Sequence, residues 1–97
     1  MVMEKEINDI KCLEIKVFGR VQGVYFRYFA KKSADKLGIK GYCKNLEDGT
    51  VFISSCGKKD MMEEFLKNLR KGPLFARVDN IEVKEVEKFS SEDFKIL

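Results

Sequence analysis

The chain contains no histidine. That absence removes phosphohistidine chemistry, the usual zinc sites and the commonest general base near neutral pH. Whatever the protein does there, it does without imidazole. Cysteine is sparse too: Cys12, Cys43 and Cys56 are the only three, and no CxxC pair occurs. An odd number of widely spaced thiols argues against a metal cluster or a disulfide framework. The expectation is three small core residues kept reduced. None of them is followed six positions later by arginine, so the cysteine-phosphatase loop is missing. No Asp-x-Asp pair supports an aspartyl-phosphate route, and no GxxxxGK[ST] run forms a nucleotide-binding P-loop. No apolar run is long enough to span a bilayer. The first residues, Met1 to Glu6, lack the apolar core of a signal peptide. A cytoplasmic protein with no membrane partner is therefore expected. Repeats, linkers and low-complexity tracts are absent.

A chain of 97 residues is one small domain. It can bury one core but not a large enclosed cavity, so any site should be shallow and open to solvent. The net charge of +3 is mild. It favours small anions slightly and falls far short of the basic stripe of a nucleic-acid binder. No nucleic-acid partner is expected, and the interspersed lysines and glutamates read as a solvated surface.

Residues 1–10 are polar and irregular and are expected to form a flexible arm, with the domain occupying 11–97. Leu13, Ile15 and Val17 alternate with Glu14 and Lys16, a half-buried strand ending near Phe18. Phe26, Phe29, Ala30, Ala34 and Leu37 then recur at helical spacing, and Gly38 stands where a helix C-terminal glycine belongs. A second strand is expected from Ile39 to Asn45. Leu46-Glu47-Asp48-Gly49 carries a hairpin signal, Thr50 to Cys56 is the return strand, and Gly57 breaks it. Asp60 and Glu63 resemble a capping box ahead of a helix with Met62, Phe65, Leu66 and Leu69 on one face, ended by Gly72-Pro73. Ile81 and Val83 mark a fourth strand; Val86 is out of phase, which implies a bulge or an early end. Phe94 and Ile96 suggest a short terminal edge strand. The order strand-helix-strand-strand-helix-strand implies an α+β, ferredoxin-like split β-α-β sandwich. Its antiparallel sheet would have four to five strands, with both helices on one face.

The most informative stretch is Gly19 to Arg27, GRVQGVYFR, between the first strand and the first helix. Its glycines let the backbone turn tightly with N–H groups exposed. The helix start adds free donors and the positive end of a dipole. Arg27 offers a planar, permanently charged fork. This is an anion cradle, and a phosphoryl group suits it best. In the split β-α-β layout the end of the second strand reaches the same sheet edge, which brings Asn45 towards Arg27.

GRVQGVYFR, followed by GYCKNLEDGTV (41–51) and GPLFARVD (72–79), resembles the acylphosphatase family in order and spacing from about Lys11 onwards. The resemblance implies a hydrolase that cleaves acyl phosphates to a carboxylate and inorganic phosphate, with no metal or other cofactor. It matches Arg27 and Asn45 to the two catalytic positions and the backbone of Gln22, Gly23, Val24, Tyr25 and Phe26 to the phosphate-binding loop. A monomer acting on a small-molecule acyl phosphate is the corresponding expectation. Tyr42, Cys43 and Lys44 stand where the family usually has Trp, Val and Arg, which bears on rate and specificity.

Bottom-up chemistry is consistent with that assignment. A carboxylate is a good leaving group, so the tasks are to hold the phosphoryl group and aim a water. Arg27 can bind two phosphoryl oxygens at once. Asn45 cannot act as a base but can accept a hydrogen bond from a water. Two other readings use the same topology. One is a phosphate- or carbamoyl-phosphate-sensing module like the acylphosphatase-like segment of larger hydrogenase-maturation proteins; from the chain length, no second catalytic unit for it to serve is expected. The other is an RNA-recognition motif, which needs exposed aromatics that the third strand, Gly49 to Cys56, does not carry in the required pattern.

Overall fold

The computed structural model describes residues 9–97, so most of the arm expected over residues 1–10 lies outside it. Seven elements follow in the expected order: β1 (Ile10–Arg20), α1 (Phe26–Leu37), β2 (Lys40–Asn45), β3 (Val51–Lys58), α2 (Lys59–Lys71), β4 (Arg77–Val86) and β5 (Phe94–Ile96). The sheet order is β4-β1-β3-β2-β5. The first four strands pair antiparallel, as the ferredoxin-like reading requires. The added edge strand β5 runs parallel to β2, which makes the whole sheet mixed.

Alternation places Leu13, Ile15 and Val17 of β1 and Val51 and Ile53 of β3 against the helices. From α1 come Phe26, Ala30 and Ala34, and from α2 come Met62, Phe65 and Leu69, all fully buried. Phe94 of β5 closes this core edge-on against Phe65, with ring centroids 6.1 Å apart. It lies opposite Gly41 of β2. Only glycine fits there: its φ is +138°, and a Cβ would strike the main-chain oxygen of Ser54. Phe29, expected on the buried stripe of α1, sits half-buried at its edge. Ser33 is buried instead, where its hydroxyl accepts a hydrogen bond from the Asn68 amide of α2 at 2.8 Å.

Four local expectations are corrected. Gly57 does not break β3: it pairs with Lys11 and is buried, because a side chain there would crowd Ile39. Asp60 does not cap α2. The helix begins at Lys59 after an extended Lys58, and Asp60 instead accepts the N–H of Met61 at 3.1 Å. Val86 continues β4 opposite Cys12; the irregularity lies at the other end, between Phe18 and Gly19 where they face Asn80 and Val78. The thiols are not all reduced. Cys12 and Cys56 form a disulfide across the directly paired β1 and β3, with Cα atoms 4.1 Å apart, and only Cys43 is free. Their wide spacing in sequence hid a direct cross-strand pairing, the geometry in which two side chains on one sheet face come closest.

Replacing Cys12 and Cys56 together by alanine should lower the unfolding free energy by about 2–4 kcal/mol, the effect expected for opening a loop of this length. Urea denaturation monitored by circular dichroism measures it, and an unchanged midpoint would refute it.

Candidate active site

The site forms where three segments meet at one end of the sheet. The loop between β1 and α1 alternates in burial. Val21, Val24 and Phe26 insert into the core, while Gly23 and Tyr25 project outwards. Both outward residues have positive φ, +73° for Gly23 and +62° for Tyr25. Tyr25 is the only non-glycine residue among those described with this conformation, which for a bulky side chain costs about 1–3 kcal/mol. Packing of Val24 and Phe26 on either side holds it there. The resulting turn opens α1, whose first loop contact is the N–H of Phe29 donating to the Tyr25 carbonyl at 3.0 Å. Among the described residues, no group accepts a hydrogen bond from the main-chain N–H of Gly23, Val24, Tyr25 or Phe26. These donors lie beside the positive end of the helix dipole, a setting that attracts an anion.

The Gln22 side chain faces away from the hollow. Its amide nitrogen donates to the main-chain oxygens of Leu46 at 2.7 Å and Thr50 at 2.9 Å. It thereby ties the loop to the β2–β3 hairpin that follows Asn45. Asn45 lies two residues beyond Cys43 on β2, so both side chains point to the helix-bearing face. Cys43 is buried under α1, its thiol 3.7 Å from the Arg27 carbonyl oxygen. Burial pushes that thiol up to about 11, against the opposing pull of Arg27 and Lys31, so it stays protonated at neutral pH.

Val21, Gly23, Tyr25, Phe26, Arg27, Tyr28, Asn45 and Ile96 line one open hollow of about 350 Å³. Of the residues singled out from the sequence, Gly23, Tyr25, Phe26, Arg27 and Asn45 meet there. Gln22 and Val24 flank it as clamp and core anchor. Tyr28 and Ile96 are additional lining residues that sequence reading did not select. A further contact comes from the last residue: Arg27 Nη1 donates to the main-chain oxygen of Leu97 at 2.9 Å, and the Leu97 N–H donates to the Cys43 carbonyl at 2.9 Å. A main-chain oxygen has no side-chain signature, so nothing in the sequence marks it. Lys31 points elsewhere, to the Phe94 carbonyl and Asp35. Among the described residues no cluster of three or more Cys, Asp or Glu is placed to hold a metal ion, and no helix is long and apolar enough to cross a membrane.

The hairpin is pinned on its other side by Asp48. Its carboxylate pairs with Lys16 of β1 at 2.8 Å and accepts from the Thr50 N–H and hydroxyl. The bond from Lys16, then those from Thr50, lower its pKa from 3.8 to about 2. Arg77 and Asp79, at the start of β4, form an ion pair with Nε to Oδ1 at 2.8 Å.

Fold and site define a small α+β domain with an anion-receptive loop, one guanidinium and one carboxamide facing a shared hollow. The Acylphosphatase family model matches residues 13–96. An acylphosphatase of Thermotoga petrophila is 46% identical over 87 residues, covering 90% of this chain and 97% of that relative. The structure of an acylphosphatase from Coxiella burnetii superposes with a TM-score of 0.91 at 32% identity, over 96% of this chain and 98% of that one. Full-length HypF in its phosphate- and nucleotide-bound form also contains a likeness, with a TM-score of 0.81 and 33% identity over 91% of this chain but only 12% of that one. The chain belongs to the acylphosphatase family, enzymes that hydrolyse acyl phosphates.

Gln22→Ala removes two hydrogen bonds between loop and hairpin and should cost about 1–3 kcal/mol of stability. Hydrogen exchange should accelerate at the hydrogen-bonded Leu46 and Gly49 amides of the hairpin before it does in α2; uniform protection would contradict the clamp. For Asp48 the sign follows from its lowered pKa. Its stabilising contribution is complete above the ordinary carboxylate range and lost as pH falls through about 2. Asp48→Asn should therefore flatten the acid limb of a stability–pH curve between roughly pH 4 and 2. Added salt should shrink the difference, because the pair is exposed.

Proposed function

We propose that the loop from Gln22 to Phe26 and the side chain of Arg27 bind the phosphoryl group of an acyl phosphate, and that Asn45 orients the attacking water. The observation that carries this reading is the convergence of Arg27, Asn45 and the unpartnered loop N–H groups on one hollow. The loop N–H groups and the Arg27 fork neutralise the phosphoryl oxygens, and they do so more strongly as charge builds on them in the transition state. Arg27 is held for this by its bond to the Leu97 main-chain oxygen, which leaves the rest of the guanidinium fork free for the substrate.

Asn45 presents an amide oxygen to a water poised opposite the leaving carboxylate. The water oxygen attacks phosphorus. The phosphorus–oxygen bond to the acyl group breaks, and the carboxylate leaves with the electron pair. Asn45 does not titrate, the chain has no histidine, and among the described residues no Asp or Glu side chain lines the hollow. The water's proton therefore passes to a phosphoryl oxygen of the substrate itself. The products are a carboxylate and inorganic phosphate. In this reading the chain acts as a cytoplasmic monomer on small acyl phosphates and not on nucleic acid.

Arg27→Ala should reduce kcat/KM by at least about 10²–10³, the loss typical for one preorganised donor, and should weaken inhibition by inorganic phosphate. Arg27→Lys should restore little, because an ammonium cannot span two oxygens. Asn45→Ala should lose turnover to a similar extent while binding phosphate nearly as well as the wild type. Steady-state hydrolysis of benzoyl phosphate with phosphate as competitive inhibitor separates the two roles. If phosphate binding fell for Asn45→Ala and not for Arg27→Ala, the assignment would be reversed.

A further inference from the structure

The two helices leave an open groove of about 290 Å³ between them, lined chiefly by Phe29, Lys32, Ser33, Lys36, Asn68 and Lys71. It shares no residue with the hollow that holds Arg27 and Asn45. α1 separates the two. Arg27 and Lys31 turn to its β5 side, whereas Phe29, Lys32, Ser33 and Lys36 turn to its α2 side. The hydrogen bond from the Asn68 amide to the buried Ser33 hydroxyl, at 2.8 Å, fixes the distance between the groove walls.

The charge around this groove is of one sign. Lys32 and Lys36 supply it from α1 and Lys71 from α2, and among the described residues no Asp or Glu side chain lines the groove. The ion pairs of the described residues use other lysines, namely Lys11, Lys16 and Lys31. Lys36 and Lys71 lie in the last turns of their helices, where a cation suits the dipole. Lys32 has no such reason to be there. It stands in the middle of α1, one turn before Lys36, and like charges at that spacing disfavour a helix. Its neighbour Lys31 has the opposite arrangement, with Asp35 one turn on and paired at 3.1 Å. A multiply charged anion lying between the walls would relieve the repulsion among all three ammonium groups.

The groove also has an aromatic surface. Phe29 falls on the helical stripe of core residues yet stays half-buried, with its ring 6.1 Å from that of Phe26 and lining the groove. The methylene stems of the lysines extend this apolar surface, and their charged ends reach beyond it. An inorganic anion would leave the ring uncovered. An anion that carries a planar base would cover it by stacking.

We infer that the groove between α1 and α2 binds a nucleoside triphosphate, with the phosphate chain on Lys32, Lys36 and Lys71 and the base against Phe29. The site is separate from Arg27, so it stands independently of the phosphoryl role proposed for that residue. Binding there is non-covalent and involves no transfer of a group.

Calorimetric titration of the purified chain with ATP, tripolyphosphate and adenosine, at low ionic strength, tests the inference. ATP is expected to bind more tightly than either of the other two. Lys32→Gln and Lys71→Gln should each weaken ATP binding by roughly tenfold, the loss of one charge-assisted contact. Both positions are exposed, so these variants test the site whether or not Phe29→Leu folds. Phe29→Leu keeps an apolar side chain but removes the stacking surface, and should weaken ATP by roughly tenfold while leaving tripolyphosphate as it is. Lys67→Gln removes the same charge from α2 at an exposed position outside the groove and should leave ATP affinity unchanged, as should Arg27→Ala. Affinity that is lost in Arg27→Ala and kept in the lysine variants puts the nucleotide in the hollow and overturns the inference. Equal weakening by Lys67→Gln and Lys32→Gln overturns it as well, because the attraction is then diffuse. So does ATP binding no more tightly than tripolyphosphate, or showing no saturable binding.

Discussion

The candidate site depends on the carboxamide of Gln22. It spans from the loop after β1 to the hairpin after β2, donating to two carbonyl oxygens that belong to the turn itself. Without it, loop and hairpin would be joined mainly through the core beneath them. With it, the glycine turn that presents free N–H groups and the strand end that presents Asn45 behave as one rigid rim. Lys16 and Asp48 brace the same hairpin from the opposite face of the sheet. A small domain cannot enclose a substrate, so it gains precision by fixing the few groups that touch it.

Strain and packing serve the same end. Tyr25 occupies a left-handed conformation because Val24 and Phe26 are anchored in the core and leave the intervening residue no other path. That geometry aims successive N–H groups outwards at the start of α1. On the other side, the short β5 places Phe94 in the core and the Leu97 main-chain oxygen on Arg27. The strand that completes the hydrophobic core is therefore also the one that restrains the cationic group of the site. Its parallel pairing with β2 aligns Ile96 with Cys43 and brings the chain's last residue to the site.

Much of this was legible in the linear order of residues. The alternation in Leu13–Val17, the helical stripe from Phe26, the hairpin letters of Leu46–Gly49 and the breaker Gly72-Pro73 are local signals, and each produced the element it announced. Where reading failed, a distant neighbour overrode a local rule. Gly57 remains in β3 because Ile39 needs the space over it. Asp60 loses the cap because α2 starts at Lys59, directly out of β3, which puts Lys58 at the cap position. Cys12 and Cys56 are far apart in sequence yet directly opposed in the sheet, so no spacing rule could pair them. The site residues divide in the same way. Gly23, Arg27 and the adjoining Tyr28 belong to one contiguous stretch, whereas Ile96 and Leu97 join the site through long-range placement alone.

Taken by itself, the sequence determined the element order, the anion-receptive turn and the presence of a guanidinium and a carboxamide suited to phosphoryl chemistry, because periodicity, glycine and charge act on near neighbours. The tertiary structure alone decided what faces what. It set the Gln22 clamp, the Arg27–Leu97 contact, the Cys12–Cys56 bond and the place of Ile96 in the hollow. Each of these depends on strand register and on the packing of α1 over β2 and β5. Those are properties of the closed sheet and its core, which no window of consecutive residues contains.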